Sequence, residues 1–597
     1  MVSFGEQVGA RRAALEDRHR PWRAQTLAAM LDSVAGEYPG RPFVITEHGS
    51  WSYARLAGWS LRLARGLAAR GVRPGERVAL FLPNGAEMIA ARFAVARAGA
   101  IAVPISVRLH AGELARLLEL SRASALITME RFRDIDALAA LDKIASGWDR
   151  PAGQRALPDL RLIVTVPDPG ETDGRHGPVM LSQLERDADP GLDADLARRA
   201  GAARPDDITT IFYTSGTTGV PKGVLSTHEM ELRSAYGSAY ARAFEDGRRI
   251  LFALPLNHVF AYVEGLLAAL FVAGSVVVQA AFDPAESLAA IERHRVGEAL
   301  FVPTMSLAVI AAARATVRDL SSLHSVMSAA SSAPASLWED LRQLLGVEQL
   351  VTAYGMTETS AATTFTRPGG PIDDLVQTVG WPKPGGIAGD PKLDGLLAEY
   401  KTVDPMTGAD AGDGQEGELA ARGPIVSPGY FQQPAATEAA MLPGGWLRSG
   451  DLGYIRADGA LILTGRAKEL YKCGGELVMP AEVEDFLTRR PGIVQAYVVA
   501  VPDETMGEVG CAWVVPDADV QLDPDRVIGD CRTALARFKV PAYVLSIAAG
   551  ELPLTVSGKV QKFRLAERAI ADLGLCGRSP AAVSQRPPVS SAARPAR

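Results

Sequence analysis

The chain has 597 residues and a formal net charge of -7. This length exceeds that of one compact core, so several domains are expected. The acidic balance argues against a nucleic-acid-binding protein, which would need a basic face.

The sequence lacks the patterns that are typical of secreted, zinc-binding or membrane-spanning proteins. The four cysteines lack CxxC spacing and the eight histidines lack HxxxH and HExxH pairs. We therefore expect free thiols, a cytoplasmic location and no structural zinc site. The N-terminus lacks the apolar core of a signal peptide. The most apolar stretch, Leu266 to Phe282, contains Gly274 and Gln279 and predicts a buried helix followed by a buried strand rather than a membrane span.

Helical and strand patterns alternate between residues 51 and 129. The segment SYARLAGWSLRLARGLAARG has apolar residues at helical spacing and stops at Gly71. ERVALFLP is a short β-rich run, EMIAARFAVARAGA is helical, and IAVPIS is again typical of a strand. This alternation predicts an α/β fold with mostly parallel strands.

Later regions are less regular. Residues 142–190 are rich in Pro, Gly and Asp and include VPDPGETDGRHGP, which predicts a surface excursion. A second irregular region covers residues 385–417, and GELAARGPIV and GALILTGR after it predict short strands. Residues 467–573 predict a small α+β unit, because EVEDFLTRR and DRVIGDCRTALARF are helical and AYVVAVPD is typical of a strand. The polar tail after it predicts disorder.

The most informative segment is YTSGTTGVPKG at residues 213–223. Its glycines and hydroxyls can present backbone N–H groups and side chains to phosphate oxygens, with Lys222 close by. The preceding ITTIFY predicts a strand, and α/β sheets bind ligands at strand ends. A polar turn without a ligand is the alternative. The spacing excludes a Walker loop, because Pro221 and Val224 stand where its second glycine would follow Gly216 or Gly219.

Four further motifs follow in order: YGMTE at 354–358, SGDLGY at 449–454, GRAKELYKCGGELVMPAEVE at 465–484 and LPLTVSGKVQKFRL at 552–565. Together with the first segment they resemble the acyl-adenylate-forming superfamily, which contains acyl-CoA synthetases, firefly luciferase and peptide-synthetase adenylation domains. The resemblance covers residues 26–569. It implies a large N-terminal domain (1–467) of mixed and parallel sheets with helices and a β-barrel-like subdomain. A small mobile α+β domain (468–573) and a disordered tail (574–597) would follow.

The resemblance implies a nucleotide site built from several motifs. The residues expected to grip the β- and γ-phosphates are Thr214, Ser215, Gly216, Thr217, Thr218, Gly219 and Lys222.

In YGMTE, the resemblance implies that Tyr354 stacks on adenine, beside Gly355 and Met356. Thr357 would contact the α-phosphate and Glu358 would hold Mg²⁺, which takes phosphate and carboxylate ligands.

The adenine-contacting Gly-Gly-Ala-Pro stretch of the family is replaced here by Ser331, Ser332, Ala333 and Pro334. Backbone contacts from the last three to the nucleotide are still expected. The change puts any tight glycine geometry in doubt.

Other motif positions imply catalytic and ribose contacts. Asp451 resembles the acid that accepts hydrogen bonds from both ribose hydroxyls, and Arg466 resembles the arginine that contacts ribose and phosphate. Lys559 resembles the catalytic lysine that reaches the α-phosphate and the carboxylate. His258 in LPLNHVF occupies the family's histidine position, where it would gate the acyl site or orient the carboxylate.

Lys468 lies at the family's hinge. The resemblance implies that the C-terminal domain rotates there between half-reactions. One face would supply Lys559 for adenylation, and the other, around Gly474 and Gly475, would border the channel of the thiol acceptor.

The C-terminal motifs resemble those of acyl-CoA synthetases most. They imply an ATP-dependent carboxylic acid–CoA ligase that works through acyl-AMP, with ATP, Mg²⁺ and CoA as cofactor and co-substrates. Delivery to a carrier-protein thiol or an amine is the alternative. A non-catalytic nucleotide-binding relative is disfavoured because the set Thr357, Glu358, Asp451, Arg466 and Lys559 is intact. A homodimer or a carrier-protein partner stays open, and neither nucleic acid nor a membrane span is expected.

The acid is less determined. No aspartate matches the one that pairs with an amino group in peptide-synthetase pockets, so a non-amino acid is expected. Asn257 and Glu264 near His258 would form a polar pocket, or would lie at the surface or behind the residues that contact the acid. Fatty, aryl and polyketide-like acids stay open. Segment 383–403 fits poorly where the family has a regular strand and is interpreted as an insertion.

Overall fold

A computed structural model describes residues 4–145, 147–149, 157–167, 179–214, 221–412, 414–474, 476–503, 505–517, 520, 522–554 and 560–575. It confirms the predicted α/β class. The helix predicted to stop at Gly71 spans Tyr53–Ala69 and begins after Ser52, whose hydroxyl accepts the Arg55 N–H at 3.2 Å.

The elements of the first 351 residues alternate between strands and helices. The strands are β1 (Pro42–Thr46), β2 (Gly49–Ser52), β3 (Arg77–Phe81), β4 (Ile101–Pro104), β5 (Ala123–Met129), β6 (Arg131–Phe132), β7 (Ile135–Asp136), β8 (Leu162–Val166), β9 (Ile208–Thr214), β10 (Lys222–Thr227), β11 (Arg249–Phe252), β12 (Ser275–Val278), β13 (Glu298–Phe301), β14 (Ser325–Ser328) and β15 (Gln349–Val351). The helices are α1 (Phe4–His19), α2 (Leu27–Glu37), α3 (Tyr53–Ala69), α4 (Ala86–Arg97), α5 (Ala111–Ser121), α6 (Ala137–Ile144), α7 (Leu181–Arg186), α8 (Asp193–Ala202), α9 (His228–Ala241), α10 (Ala268–Leu270), α11 (Pro284–His294), α12 (Pro303–Ala315) and α13 (Ala335–Leu345).

The remaining elements are mostly strands. They are β16 (Ala353–Met356), β17 (Ala361–Phe365), β18 (Trp381–Pro382), β19 (Glu399–Val403), β20 (Gly417–Arg422), β21 (Met441–Leu442), β22 (Trp446–Ile455), β23 (Leu461–Arg466), β24 (Tyr471–Cys473), β25 (Glu476–Val478), β26 (Ile493–Asp503), β27 (Gly507–Pro516) and β28 (Tyr543–Ser546). The helices among them are α14 (Ile372–Gln377), α15 (Pro434–Ala440), α16 (Pro480–Thr488), α17 (Pro524–Ala534) and α18 (Lys562–Asp572).

Two large sheets form the N-terminal part. One has the order β15-β14-β13-β11-β12-β1-β2 and the other β10-β9-β4-β3-β5-β8. Both are parallel except for the antiparallel edge strands β2 and β10. All residues of β5, β12, β13 and β14 are buried, as expected for parallel sheets covered by helices.

The sheets that follow are antiparallel except for the parallel pair of β27 and β28. Strands β16, β17 and β18 form one, and β19 to β23 form another of five strands in the region predicted to be barrel-like. Strands β24 to β28 form a last sheet with its own apolar core, which runs from Tyr471 to Ala569. The domain boundary predicted after residue 467 stays a prediction, and residues 576–597 of the predicted tail lie outside the described residues.

The apolar stretch from Leu266 to Phe282 is buried in the core as far as Val278, and its last four residues are half-buried. It comprises the end of a π-helix (Phe260–Leu267), then α10 and β12, so the predicted helix followed by a strand is confirmed. Within the described part of the chain, no helix is both long and apolar enough to cross a membrane.

The two regions predicted to be irregular each contain regular structure. Most of VPDPGETDGRHGP lies outside the described residues, but β8 just before it is a buried sheet strand that composition did not predict. Segment 383–403 contains short 3-10 turns at 386–388 and 391–393 and then β19. Its Ala388 carbonyl accepts a hydrogen bond from Arg233 of α9 at 2.6 Å, so the segment packs on that helix.

Helix α1 contacts the C-terminal end of α9. The guanidinium of Arg12 donates to the carbonyls of Tyr240 at 3.0 Å and Ala241 at 2.9 Å, which belong to the last turn of α9. These carbonyls lie at the end of the helix, where α1 adds a partner for each; the Tyr240 carbonyl also accepts the Ala243 N–H at 3.1 Å.

The first residue of α9, His228, gives a pH-dependent prediction. It is buried, and its Nδ1 accepts the backbone N–H of Leu27 at 3.2 Å. Burial lowers the pKa of His228 to about 4, against a smaller opposing effect of Asp207. Between about pH 6.5 and pH 4, His228 is therefore protonated in the unfolded chain but neutral in the folded chain. We expect the free energy of unfolding to fall by ~3 kcal/mol between pH 7 and pH 4 through this residue.

Urea unfolding of wild type and His228→Asn at both pH values tests this effect. The variant should lose less stability on acidification than wild type. His48→Asn, at an exposed histidine, is the matched control and should behave like wild type. Equal pH dependence in wild type and His228→Asn would show that the prediction is wrong.

Candidate active site

The base of the predicted phosphate loop is a β-hairpin. Thr214 ends β9 and Lys222 begins β10, and the two are antiparallel partners. Strand β9 is parallel to β4, so the loop leaves the carboxyl end of a parallel strand, where α/β sheets bind ligands. The loop residues Ser215, Gly216, Thr217, Thr218 and Gly219 lie outside the described residues.

Tyr430 joins this hairpin to the YGMTE motif. Its ring centroid is 4.7 Å from Lys222 Nζ, and its hydroxyl donates to Glu358 Oε1 at 2.9 Å. Burial and the nearby Glu358 carboxylate raise the pKa of Tyr430, so it stays a neutral donor. Sequence reasoning missed this residue, and the only local signal is an aromatic directly after a glycine in SPGYF.

The YGMTE motif forms β16 and a 3-10 turn at Thr357–Thr359. Thr357 is buried and Glu358 is half-buried. Gly355 has no room for a side chain, because a Cβ there would lie 1.9 Å from the Ala361 carbonyl oxygen. The Met356 N–H donates to Thr359 Oγ1 at 3.2 Å, which fixes the start of the turn.

The turn is followed by a strained segment. Ser360 and Ala361 have left-handed backbones, with φ of 52° and 76°. Such conformations cost on the order of 1–3 kcal/mol each in residues other than glycine and persist when the surroundings enforce them. The Glu358 carbonyl also accepts the Ser427 N–H at 2.7 Å. The backbone of Glu358 is therefore held by Ser427, and its carboxylate is held by Tyr430.

Asp451 lies between two of the predicted nucleotide residues. Its Oδ2 accepts the Tyr354 hydroxyl at 2.7 Å, and its Oδ1 is 3.0 Å from Arg466 Nε. Asp451 and Arg466 are directly opposite on β22 and β23. Glu418 on β20 accepts the Gly450 N–H at 2.9 Å and so fixes the turn that presents Asp451. The predicted stacking of the Tyr354 ring on adenine stays a prediction.

Lys468, the predicted hinge, lies two residues after the end of β23. Burial lowers its pKa, and the charges of Lys222 and Arg466 lower it further, while Glu418 and Glu358 oppose them. Lys468 therefore lies within electrostatic range of Lys222, Glu358 and Arg466. The Ala467 N–H donates to the Gly450 carbonyl at 3.0 Å.

On the C-terminal side, Gly474 adopts a left-handed backbone with φ of 60°. Its N–H donates to the Met506 carbonyl at 2.9 Å, and a Cβ would lie 2.6 Å from Met506 Cε. The positive φ favours glycine here, whereas the end of the exposed Met506 side chain could move away from a Cβ. Gly475 and Lys559 lie outside the described residues.

The predicted acyl-site residues differ in exposure. His258 is exposed just before the π-helix, and its Nδ1 accepts the Phe260 N–H at 3.3 Å. Asn257 is half-buried. Glu264 is fully buried, and its Oε1 accepts the Ala362 N–H at 3.0 Å. It is therefore not a surface residue.

The Ser-Ser-Ala-Pro stretch connects β14 to α13. Ser331 and Ser332 are exposed, Ala333 is buried, and Pro334 caps the start of α13. The left-handed backbone of this connection falls on Ala330, with φ of 81°, and neither serine shares it. The replacement of the family's glycines is therefore compatible with this backbone.

The described residues fit a magnesium ion that takes most of its ligands from ATP. Among them, no cluster of three or more histidine, cysteine or acidic side chains could hold a metal by itself. Glu358 supplies one carboxylate beside the phosphate-loop base, and Mg²⁺ typically binds through one or two carboxylates and substrate phosphates.

Comparisons with known sequences agree with this site. The family described as "AMP-binding enzyme" matches residues 31–431, and "AMP-binding enzyme C-terminal domain" matches residues 482–559. Feruloyl-CoA synthase of Amycolatopsis sp is 35% identical over 548 residues, covering 90% of this chain and 100% of that protein. The 3-[(3aS,4S,7aS)-7a-methyl-1,5-dioxo-octahydro-1H-inden-4-yl]propanoyl:CoA ligase of Mycobacterium tuberculosis is 34% identical over 543 residues, covering 91% and 99%.

Solved structures show the same architecture. One is o-succinylbenzoate coenzyme A synthetase from Bacillus subtilis in complex with ATP and magnesium ion. It matches with a TM-score of 0.72 and 27% sequence identity, covering 89% of this chain and 98% of that one.

Proposed function

The chain belongs to the AMP-binding enzyme family, and we propose that it is an ATP-dependent carboxylic acid–CoA ligase that works through an acyl-AMP intermediate. The carboxylate attacks the α-phosphorus of ATP, and pyrophosphate leaves. The sulfur of CoA then attacks the acyl carbonyl, and AMP leaves as the thioester forms. The observation that carries the proposal is that Tyr430 contacts both Lys222 and Glu358, which joins the base of the phosphate loop to the acid of the YGMTE motif.

The first step joins two anions, so catalysis depends on positioning and charge neutralisation. We assign Lys222 and the residues of its loop to the β- and γ-phosphates, and Thr357 to the α-phosphate. Glu358 would hold Mg²⁺, which would neutralise further charge on the phosphates. Tyr430 keeps the Glu358 carboxylate beside Lys222, which supports this assignment.

We assign the nucleoside to the Asp451 side of the site. A carboxylate can accept from two adjacent ribose hydroxyls. In the structure the Asp451 oxygens contact Tyr354 and Arg466, so ribose would join or exchange with these partners. Backbone contacts from Ser332, Ala333 and Pro334 would border adenine. His258, exposed at the start of the π-helix, would orient the carboxylate of the acid.

We also propose that residues 468–573 form a mobile domain hinged at Lys468. Its separate apolar core supports this view. One orientation would bring Lys559 to the α-phosphate, and another would bring Gly474 and Gly475 to the thiol channel.

The acid is proposed to be a non-amino carboxylic acid, and a cytoplasmic location is supported by the free thiols Cys473, Cys511 and Cys531. A homodimer or a carrier-protein partner would be additional to the small-molecule substrates ATP and CoA.

A pyrophosphate-release screen across carboxylic acids, with and without CoA, tests the function. With the right acid, we expect acyl-CoA, AMP and pyrophosphate in equal amounts. Without CoA, a single turnover should leave acyl-AMP bound. Rapid CoA-independent amide formation with an amine, or acylation of a carrier protein in preference to CoA, would contradict the proposed acceptor.

A further inference from the structure

A buried lysine lies directly behind the YGMTE turn. Lys383 is fully buried, and its Nζ donates to Ser234 Oγ at 2.8 Å and to Ser238 Oγ at 3.2 Å. The Ser234 hydroxyl in turn donates to the Ser360 carbonyl at 2.6 Å. A continuous chain of hydrogen bonds therefore connects the ammonium group to the residue that follows the Thr357–Thr359 turn.

Glu264 holds the other end of the same segment. Its Oε1 accepts the Ala362 N–H at 3.0 Å and lies 3.8 Å from Lys383 Nζ. Its Oε2 lies 3.5 Å from Arg242 Nη2. The Ser360 carbonyl and the Ala362 amide are thus both bonded to groups of one buried network.

This network reaches deep into the core. Arg242 is 2.5 Å from Glu298 Oε1, and Arg248 is 2.8 Å from Glu298 Oε2. All of these side chains have at most 1% of their surface exposed. Buried charges are tolerated when paired in this way, and removal of one partner is costly. The alternating charges give Lys383 and Glu264 fixed positions.

The held segment needs such support. Ser360 and Ala361 have left-handed backbones, and the Ala361 carbonyl leaves no room for a side chain at Gly355. If the bonds to Ser360 and Ala362 were lost, the segment would relax toward a more common conformation. The adjoining turn carries Thr357 and Glu358, whose side chains would then change direction.

We propose that Lys383, Ser234 and Glu264 are positioning residues for the magnesium-binding turn. They hold Ser360–Ala362 so that Glu358 meets the metal and Thr357 meets the α-phosphate. This inference rests on the proposed function, because it concerns how this chain orients its own residues toward Mg·ATP. None of the three is proposed to touch substrate.

Calorimetric binding of ATP, with and without Mg²⁺, tests the inference independently of turnover. In Ser234→Ala, the affinity gained by adding Mg²⁺ should fall ~10-fold, and in Lys383→Met by up to ~100-fold, the range typical when a group supporting a metal ligand is lost. Affinity for ATP without Mg²⁺ should change little. The half-saturating Mg²⁺ concentration for pyrophosphate release should rise in the same order.

Two matched controls separate positioning from general stability. Ser287→Ala removes another fully buried helix hydroxyl, and Lys392→Met removes an exposed lysine of the 383–403 segment. Both should bind Mg·ATP like wild type. If Lys383→Met fails to fold, the Mg²⁺ dependence of ATP binding in Ser234→Ala still tests the inference.

Wild-type Mg²⁺ dependence in Ser234→Ala, even with lowered thermal stability, would overturn the inference. The proposed function fails separately, if wild type binds Mg·ATP but releases no pyrophosphate with any acid.

Discussion

Replacing Lys559 by alanine should lower the rate of acyl-AMP formation by on the order of 10²–10³-fold, the effect expected when one group that stabilises developing transition-state charge is lost. The lysine would neutralise the α-phosphate while the carboxylate attacks it. Supplied acyl-AMP should still be converted to thioester at a rate near that of wild type, because the second half-reaction would use the other face of the C-terminal domain. Pyrophosphate release and thioester formation from synthetic acyl-AMP measure the two steps separately.

Arg564→Ala is the matched control, since it removes an exposed cation of α18 close to Lys559 in sequence. It should leave both steps unchanged. Equal loss of both steps in Lys559→Ala would argue against the rotation of the domain about Lys468.

Replacing Glu358 by glutamine should cost at least ~100-fold in pyrophosphate release at low Mg²⁺, because losing a metal ligand should exceed the effect of losing a group that supports one. Glutamine keeps an oxygen for the Tyr430 hydroxyl, so the change removes charge with little change of shape. High Mg²⁺ should restore part of the rate. The Mg²⁺ dependence of ATP binding, measured by calorimetry, gives a readout that does not require turnover.

Two further variants make this experiment specific. Glu348→Gln changes an exposed acid of the same domain and should have no effect. Tyr430→Phe keeps the carboxylate and removes the hydroxyl that donates to it, so its effect should be smaller than that of Glu358→Gln. A Glu358→Gln enzyme with normal Mg²⁺ dependence would exclude the assigned metal role.

Much of the fold could be predicted from the sequence because its signals are local. The helix after Ser52 has both a cap and an apolar period, and the strand after it, β3, is a short β-rich run. Strand β8 (LIVTV) is also a β-rich run, but it lies within the Pro-, Gly- and Asp-rich region interpreted as a surface excursion. Its place in the sheet depends on pairing with β5, about 35 residues earlier in the chain.

The site residues differ in the same way: some have a local sequence signal and others depend on long-range contacts. Contiguous motifs predicted Glu358, Asp451 and Arg466, and the structure brings their elements together. Tyr430 and Lys383 could not be predicted, because their roles depend on contacts with residues 72 and 149 positions away in the chain. Spacing within a motif carries no information about such partners.

The contact between α1 and the end of α9 has a practical consequence for anyone who trims or recombines this enzyme. The family match begins at residue 31, whereas Arg12 bonds the final carbonyls of the helix that starts beside the phosphate-loop hairpin. A chimera cut at the family boundary would omit this clamp, and α9 would fray at the end farthest from ATP. Ser234 and Ser238 lie on that helix. Removal of the N-terminal residues would therefore be expected to weaken the binding of Mg·ATP.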